Sequence, residues 1–257
     1  MSGVRSLSRI VIVLALACFG LVALAAAPAG GGRTAVPVAA QPSTLSDPSS
    51  SSAAVLERPL SIPVPPPAPR FLIGMVTRPL VTAAGDVAAT TPLGGHTWLL
   101  IVHHRGNLGV ALVPTGGEPR LARVDLSALR LRWTRIRIDV DITRLRMAVL
   151  RGRRVLGEFP IASGTPSTPT PTGLFSVTDR VTFSQPGVYG SFALGLSAHQ
   201  RHLVPGWQGG NQVAIHGTEN PGSIGSRASL GCIRVSETAL RLLRRAVPLG
   251  APVLIHQ

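Results

Sequence analysis

Ile136-Arg137-Ile138-Asp139-Val140-Asp141-Ile142 alternates apolar and charged side chains at every step. A period of two puts every second side chain on the same face, so this stretch predicts a half-buried β-strand. Just downstream, Met147-Ala148-Val149-Leu150 and Val155-Leu156-Gly157-Glu158-Phe159-Pro160-Ile161 flank the turn Arg151-Gly152-Arg153-Arg154 and predict a hairpin. A Pro/Thr/Gly loop from Thr165 to Gly173 follows, then strands at Leu174–Val177 and Val181–Phe183. One helix is expected from about Glu237 to Ala246. Ser236 is its N-cap, Leu240, Leu243 and Val247 share a face, and Arg241, Arg244 and Arg245 suit the negative end of the helix dipole. Pro248 ends the helix, and Pro252-Val253-Leu254-Ile255 reads as a last strand. The expected fold class is mainly β, with one or two short helices.

Upstream, Phe71–Val76, Trp98–Val102 and Leu108–Val113 are short apolar runs. Turn signals at Gly85-Asp86, Gly94-Gly95, Gly106-Asn107 and Gly116-Gly117 separate them. That spacing predicts a small all-β module over 70–130, ahead of a second folded part over 131–257. His103-His104 lies on a strand, where adjacent side chains point to opposite faces, so the pair is not read as a metal site. Residues 28–69 are rich in Pro, Ala and Ser and predict a disordered or extended tether. At the start, Arg5 and Arg9 precede the apolar run Ile10–Ala27, and Ala23-Leu24-Ala25 offers small residues for signal peptidase. Residues 1–27 therefore read as an export signal, with an uncleaved membrane anchor as the rival.

The chain has 257 residues, of which 45% are hydrophobic and only 4% aromatic, so its core must be mainly aliphatic. Its 28 Gly and 23 Pro argue against a helical bundle. Every basic residue is Arg and the net charge is +14. Such a balance suits an anionic wall polymer or anionic lipid, unless it reflects a compositional bias toward Arg. No zinc-finger, helix-turn-helix or aromatic-interleaved basic motif is present, so no nucleic-acid partner is expected.

Of the two cysteines, Cys18 falls inside the export signal. An exported protein would carry one thiol, Cys232, into an oxidising compartment, where structural cysteines are normally paired. An unpaired cysteine there is either buried by accident or reactive. Two segments frame it: Val213-Ala214-Ile215-His216-Gly217-Thr218 and Ser229-Leu230-Gly231-Cys232-Ile233-Arg234-Val235, joined by a loop of Gly, Ser and Pro. His216 ends a strand, and a histidine beside a thiol lowers the thiol pKa and favours the nucleophilic thiolate. Gly231 allows a sharp turn before Cys232, whose amides could converge on an oxyanion. Arg234 shares a face with Cys232 if the backbone is extended. The plain alternative keeps Cys232 as a small buried hydrophobe and His216 as a core-edge residue. His199, His202, His216 and Cys232 lack the acidic residue or second Cys that would complete a metal set, so no metal is expected. The order His before Cys is the reverse of papain-like proteases.

His216-Gly217-Thr218, followed by a short loop and Ser229-Leu230-Gly231-Cys232-Ile233-Arg234, resembles the motif of the YkuD-type L,D-transpeptidase catalytic domain. Ser163-Gly164-Thr165 with Thr168–Phe175, Tyr189–Leu196 and Val247–Val253 extend the resemblance over about Arg135 to His256. Many members carry a second His where this chain has Leu230, which would throw the acid/base work onto His216. The resemblance implies a β-sandwich catalytic domain with Cys232 as nucleophile and His216 as base. Gly217 would orient the ring through its carbonyl, and amides near Gly231 and Cys232 would hold the oxyanion. Arg234, Ser229, Tyr189 and Thr218 would contact substrate. It further implies peptidoglycan stem peptides as donor and acceptor, a 3→3 cross-link, acylation by carbapenems, no cofactor, and a place in the cell envelope, periplasmic or wall-associated. An L,D-carboxypeptidase using water as acceptor and a non-catalytic wall-binding protein are the alternative readings.

Overall fold

The computed structural model describes residues 70–206 and 210–257. The expected export signal and tether lie outside the described residues.

The first sheet is built from β1 (Phe71–Val76), β4 (Trp98–Arg105), β5 (Leu108–Val113), β6 (Arg120–Asp125) and β7 (Leu129–Thr134), with a small side hairpin of β2 (Leu80–Thr82) and β3 (Gly85–Val87). Its order is β6-β5-β4-β1-β7, and every pairing is antiparallel. The runs on β1 and β4 are apolar at consecutive positions because both faces of the sheet are covered. Leu72, Leu99 and Ile101 enter one core, while Ile73 and Leu100 on the opposite face join Leu174 of the following sheet. A Cβ on Gly250 would sit 3.0 Å from that of Ile73, which shows how closely the first sheet approaches the turn before the last strand. β7 pairs with β1 along its whole length, so the first sheet runs to Thr134 rather than ending at 130.

The second sheet has eight strands in the order β10-β9-β8-β17-β12-β13-β14-β16. These are β8 (Ile136–Asp141), β9 (Arg146–Arg151), β10 (Arg154–Pro160), β12 (Gly173–Gly187), β13 (Gly190–His199), β14 (Gln212–His216), β16 (Ile233–Arg234) and β17 (Pro252–His256). Two-residue β11 (Ser163–Gly164) pairs in parallel with β15 (Arg227–Ser229) beside it. The 136–142 alternation holds: Ile136, Ile138 and Val140 are buried, with half-exposed partners between them. The expected strands 174–177 and 181–183 are one element, β12. It pairs with β17 through its first residues and with β13 through the remainder. Side chains from both halves, including Ile138, Val149, Leu194, Ile215 and Val253, share one core.

Among the described residues the single α-helix, α1, runs Glu237–Ala246 with Ser236 as N-cap, its Oγ accepting the Ala239 N–H at 3.3 Å. It packs on β13 and β10. Burying side chains such as Leu240 and Leu243 stabilises this contact by about 2 kcal/mol each. The fold is mainly β, a small sheet preceding the larger one. Among the described residues, no helix is long and apolar enough to cross a membrane.

Candidate active site

β14 and β16 run parallel as neighbours, with Ile215 opposite Ile233 and His216 opposite Arg234. Side chains two apart share a face. The register therefore puts Ala214 and His216 of β14 on the side that Arg234, and Cys232 just before β16, also present. The Ala214 backbone hydrogen-bonds the Cys232 thiol. The link from β14 to β15 is tied down rather than left loose. Gly225 N–H donates to Ile161 O at 2.9 Å, and Ser163 N–H to Ser226 O at 3.1 Å.

His216 is 4% exposed. Its Nδ1 lies 2.6 Å from the carbonyl oxygen of Gly217. A carbonyl only accepts, so Nδ1 carries the proton and the neutral ring keeps its lone pair on Nε2. Tyr189, at the tip of the β12–β13 hairpin, packs edge-to-face on the imidazole and stacks on Phe183, with centroids 5.8 Å away. Its backbone carbonyl accepts the Gly217 N–H at 2.8 Å. Burial lowers the His216 pKa to about 4; the Gly217 hydrogen bond opposes this and the Arg234 charge adds to it.

Cys232 is unpaired and keeps partial exposure as a residue. Burial of its sulfur pushes the thiol pKa up, against smaller lowering effects from the Ala214 hydrogen bond and Arg234. The sequence predicted the reverse, a thiol pKa lowered by the histidine. Desolvation is the largest influence on both groups, so thiol and imidazole are each held neutral.

The turn before Cys232 is closed by Ser229, which is 1% exposed. Its hydroxyl donates to Cys232 O at 2.5 Å and accepts the Gly231 N–H at 3.1 Å. Ser229 is a buried turn-closing residue. The Gly231 amide is engaged within the turn. Gly231 has φ +114°, a conformation that excludes side chains bearing a Cβ. Thr218 folds onto its own turn, its hydroxyl accepting the Asn220 N–H at 3.0 Å. Leu230 is 39% exposed beside the thiol turn.

Glu237 was read only as the first helical residue. Its carboxylate accepts from the Ser191 hydroxyl at 2.6 Å and from the Ser191 N–H at 3.0 Å. A Cβ on Gly190 would come within 2.7 Å of the Gly217 Cα, so two glycines let the hairpin end and the His216 strand cross in contact. Nothing local in the sequence connects residues 191 and 237. Among the described residues, no group of His, Cys, Asp and Glu could hold a metal ion.

Comparison with known families matches residues 135–255 to YkuD, the L,D-transpeptidase catalytic domain. Among curated proteins, the chain is 35% identical over 120 residues to YkuD of Bacillus subtilis (strain 168), assigned by name to the L,D-transpeptidases; this covers 47% of the chain and 65% of that protein. It is 30% identical over 116 residues to YqjB of the same organism, covering 42% of the chain and 64% of that protein. The chain thus spans just under two thirds of these relatives' length. Among solved structures, L,D-transpeptidase 3 from Mycobacterium tuberculosis is 16% identical, with 54% of this chain and 72% of that one covered and a TM-score of 0.41. Residues 135–255, which hold the Cys232 turn and the His216 strand, match the YkuD L,D-transpeptidase catalytic domain family.

Proposed function

We propose that this chain is a peptidoglycan L,D-transpeptidase that forms 3→3 cross-links through a thioester on Cys232. The observation that carries the reading is the contact of His216 Nδ1 with the Gly217 carbonyl. Gly217 O holds the Nδ1 proton, which presents a basic Nε2 on the strand paired with the cysteine strand.

Because both groups are neutral at rest, the thiol proton moves to Nε2 as sulfur attacks the carbonyl of the diamino acid at position three of a tetrapeptide stem. The new S–C bond gives a tetrahedral oxyanion facing the Cys232 N–H. The amide C–N bond then breaks, and the terminal D-Ala departs with the proton returned by His216. The side-chain amine of a second stem attacks the thioester, gives up a proton to His216, and displaces Cys232 as thiol. Arg234, whose charge reaches both groups, supports the developing negative charge. The acceptor is a stem peptide, and the work is done in the cell envelope after export.

Incubating the protein with a purified tetrapeptide stem and following intact mass tests this. The expected result is a covalent adduct at Cys232 lacking D-Ala, then cross-linked dimer. An unmodified cysteine would overturn the proposal. Tripeptide without dimer would assign hydrolysis instead.

A further inference from the structure

We infer that Gln200 is a positioning residue for Cys232, whose side-chain amide locks the Leu230–Gly231 peptide plane and so fixes the direction of the Cys232 N–H. The inference rests on the acyl-transfer reading of Cys232.

Gln200 follows β13, far from the cysteine in sequence, and is 5% exposed. Its Nε2 donates to Pro169 O at 2.9 Å and to Leu230 O at 3.3 Å, while its Oε1 accepts the His202 N–H at 2.9 Å. Two carbonyls can only accept and an amide N–H can only donate, so the orientation of this side chain is fixed by its partners. A Cβ on Gly231 would overlap the Gln200 amide nitrogen. Glycine therefore serves twice here: it adopts the positive φ, and it admits the glutamine.

A trans peptide unit carries its C=O and N–H on opposite sides of one rigid plane. In the 230–231 plane, the carbonyl is held by Gln200 and the N–H by Ser229 Oγ at 3.1 Å. Gripped at both ends, the plane cannot rotate, and the next amide, that of Cys232, inherits its direction. Without Gln200, the glycine is free to turn, because both signs of φ are open to it. The surroundings are anchored separately. Ser229 O accepts from Thr165 N–H at 3.0 Å and from Thr168 Oγ1 at 3.1 Å, and Arg234 pairs with Ala162 through two 2.9 Å bonds. Losing the Gln200 amide thus releases one peptide plane rather than the whole site.

Gln200→Glu tests this, since it keeps the side-chain length while an ionised carboxylate cannot donate to the two carbonyls. The rate of Cys232 acylation by a tetrapeptide stem is expected to fall about 100-fold, the usual effect of losing one oxyanion donor. Alkylation by iodoacetamide, which needs no such donor, should change little. Relative to the parent, the acylation deficit should narrow as pH falls and the introduced carboxyl gains a proton to donate. Gln200→Met should show the same deficit without that recovery. Unchanged acylation overturns the inference, as does parallel loss of acylation and alkylation with no recovery at low pH. Should both variants fail to fold, amide hydrogen exchange in the parent decides: Gly231 N–H is expected to be protected, and free exchange there overturns the lock. A parent that is never acylated removes the catalytic reading itself and this inference with it, a result read from the parent alone.

Discussion

The imidazole of His216 and the ring of Tyr189 meet edge-to-face, centroids 4.8 Å apart and planes inclined at 68°. The contact seals one side of the candidate base from water, and burial is the main cause of its depressed pKa. Tyr189→Ala should therefore raise the His216 pKa toward the ordinary imidazole range and slow acylation about 10-fold, within the range for a misplaced acid–base group. Tyr189→Phe, which keeps the ring, should leave the pKa near its parental value. Titration of the imidazole by NMR checks both.

A neutral buried His216 makes stability depend on pH. Its pKa is about 4 when folded and ordinary when unfolded, so between those values the unfolded chain binds the extra proton. Stability is complete above the unfolded value and declines as pH falls from about 6.5 toward 4, by roughly 3 kcal/mol for a shift of this size. Urea denaturation across that window should show the decline, and His216→Gln should flatten it.

The Cys232 thiol is held protonated by burial. Its alkylation by iodoacetamide should keep accelerating with pH beyond the point where an ordinary cysteine is half ionised. A rate plateau at neutral pH would instead reveal a preformed thiolate–imidazolium pair.

Ser229 closes the cysteine turn from inside. Ser229→Ala should cost about 1–3 kcal/mol of stability through the buried groups it leaves unpaired. It should also lower kcat while leaving KM for the stem peptide close to parental. A KM effect with kcat unchanged would instead support the substrate-contact role that the family resemblance implies.

Much of the larger sheet could be read from local pattern. The alternation in 136–142, the 151–154 turn and the Ser236-capped helix all depend on near neighbours, and each lies where expected. β12 was read as two strands because Thr178, Asp179 and Arg180 interrupt its apolar run, yet Thr178 and Asp179 are buried. Their partner comes from a distant segment: Gln212 Nε2 donates to Thr178 Oγ1 at 2.9 Å and to Asp179 Oδ2 at 3.2 Å. The candidate site divides the same way. His216 and Cys232 stand out because their immediate neighbours are unusual. Gln200 and Glu237 do not, because each acts on a turn brought to it only by the completed sheet.

β17 lies between β8, its parallel neighbour, and β12, its antiparallel one, although it is the last of the eight strands in chain order. A nascent polypeptide has the cysteine turn and its histidine before it has 252–256. Until those five residues are free, the two halves of the sheet have no shared seam, and the shell around the thiol is unfinished. The seam between the two halves therefore closes only once 252–256 has joined the sheet.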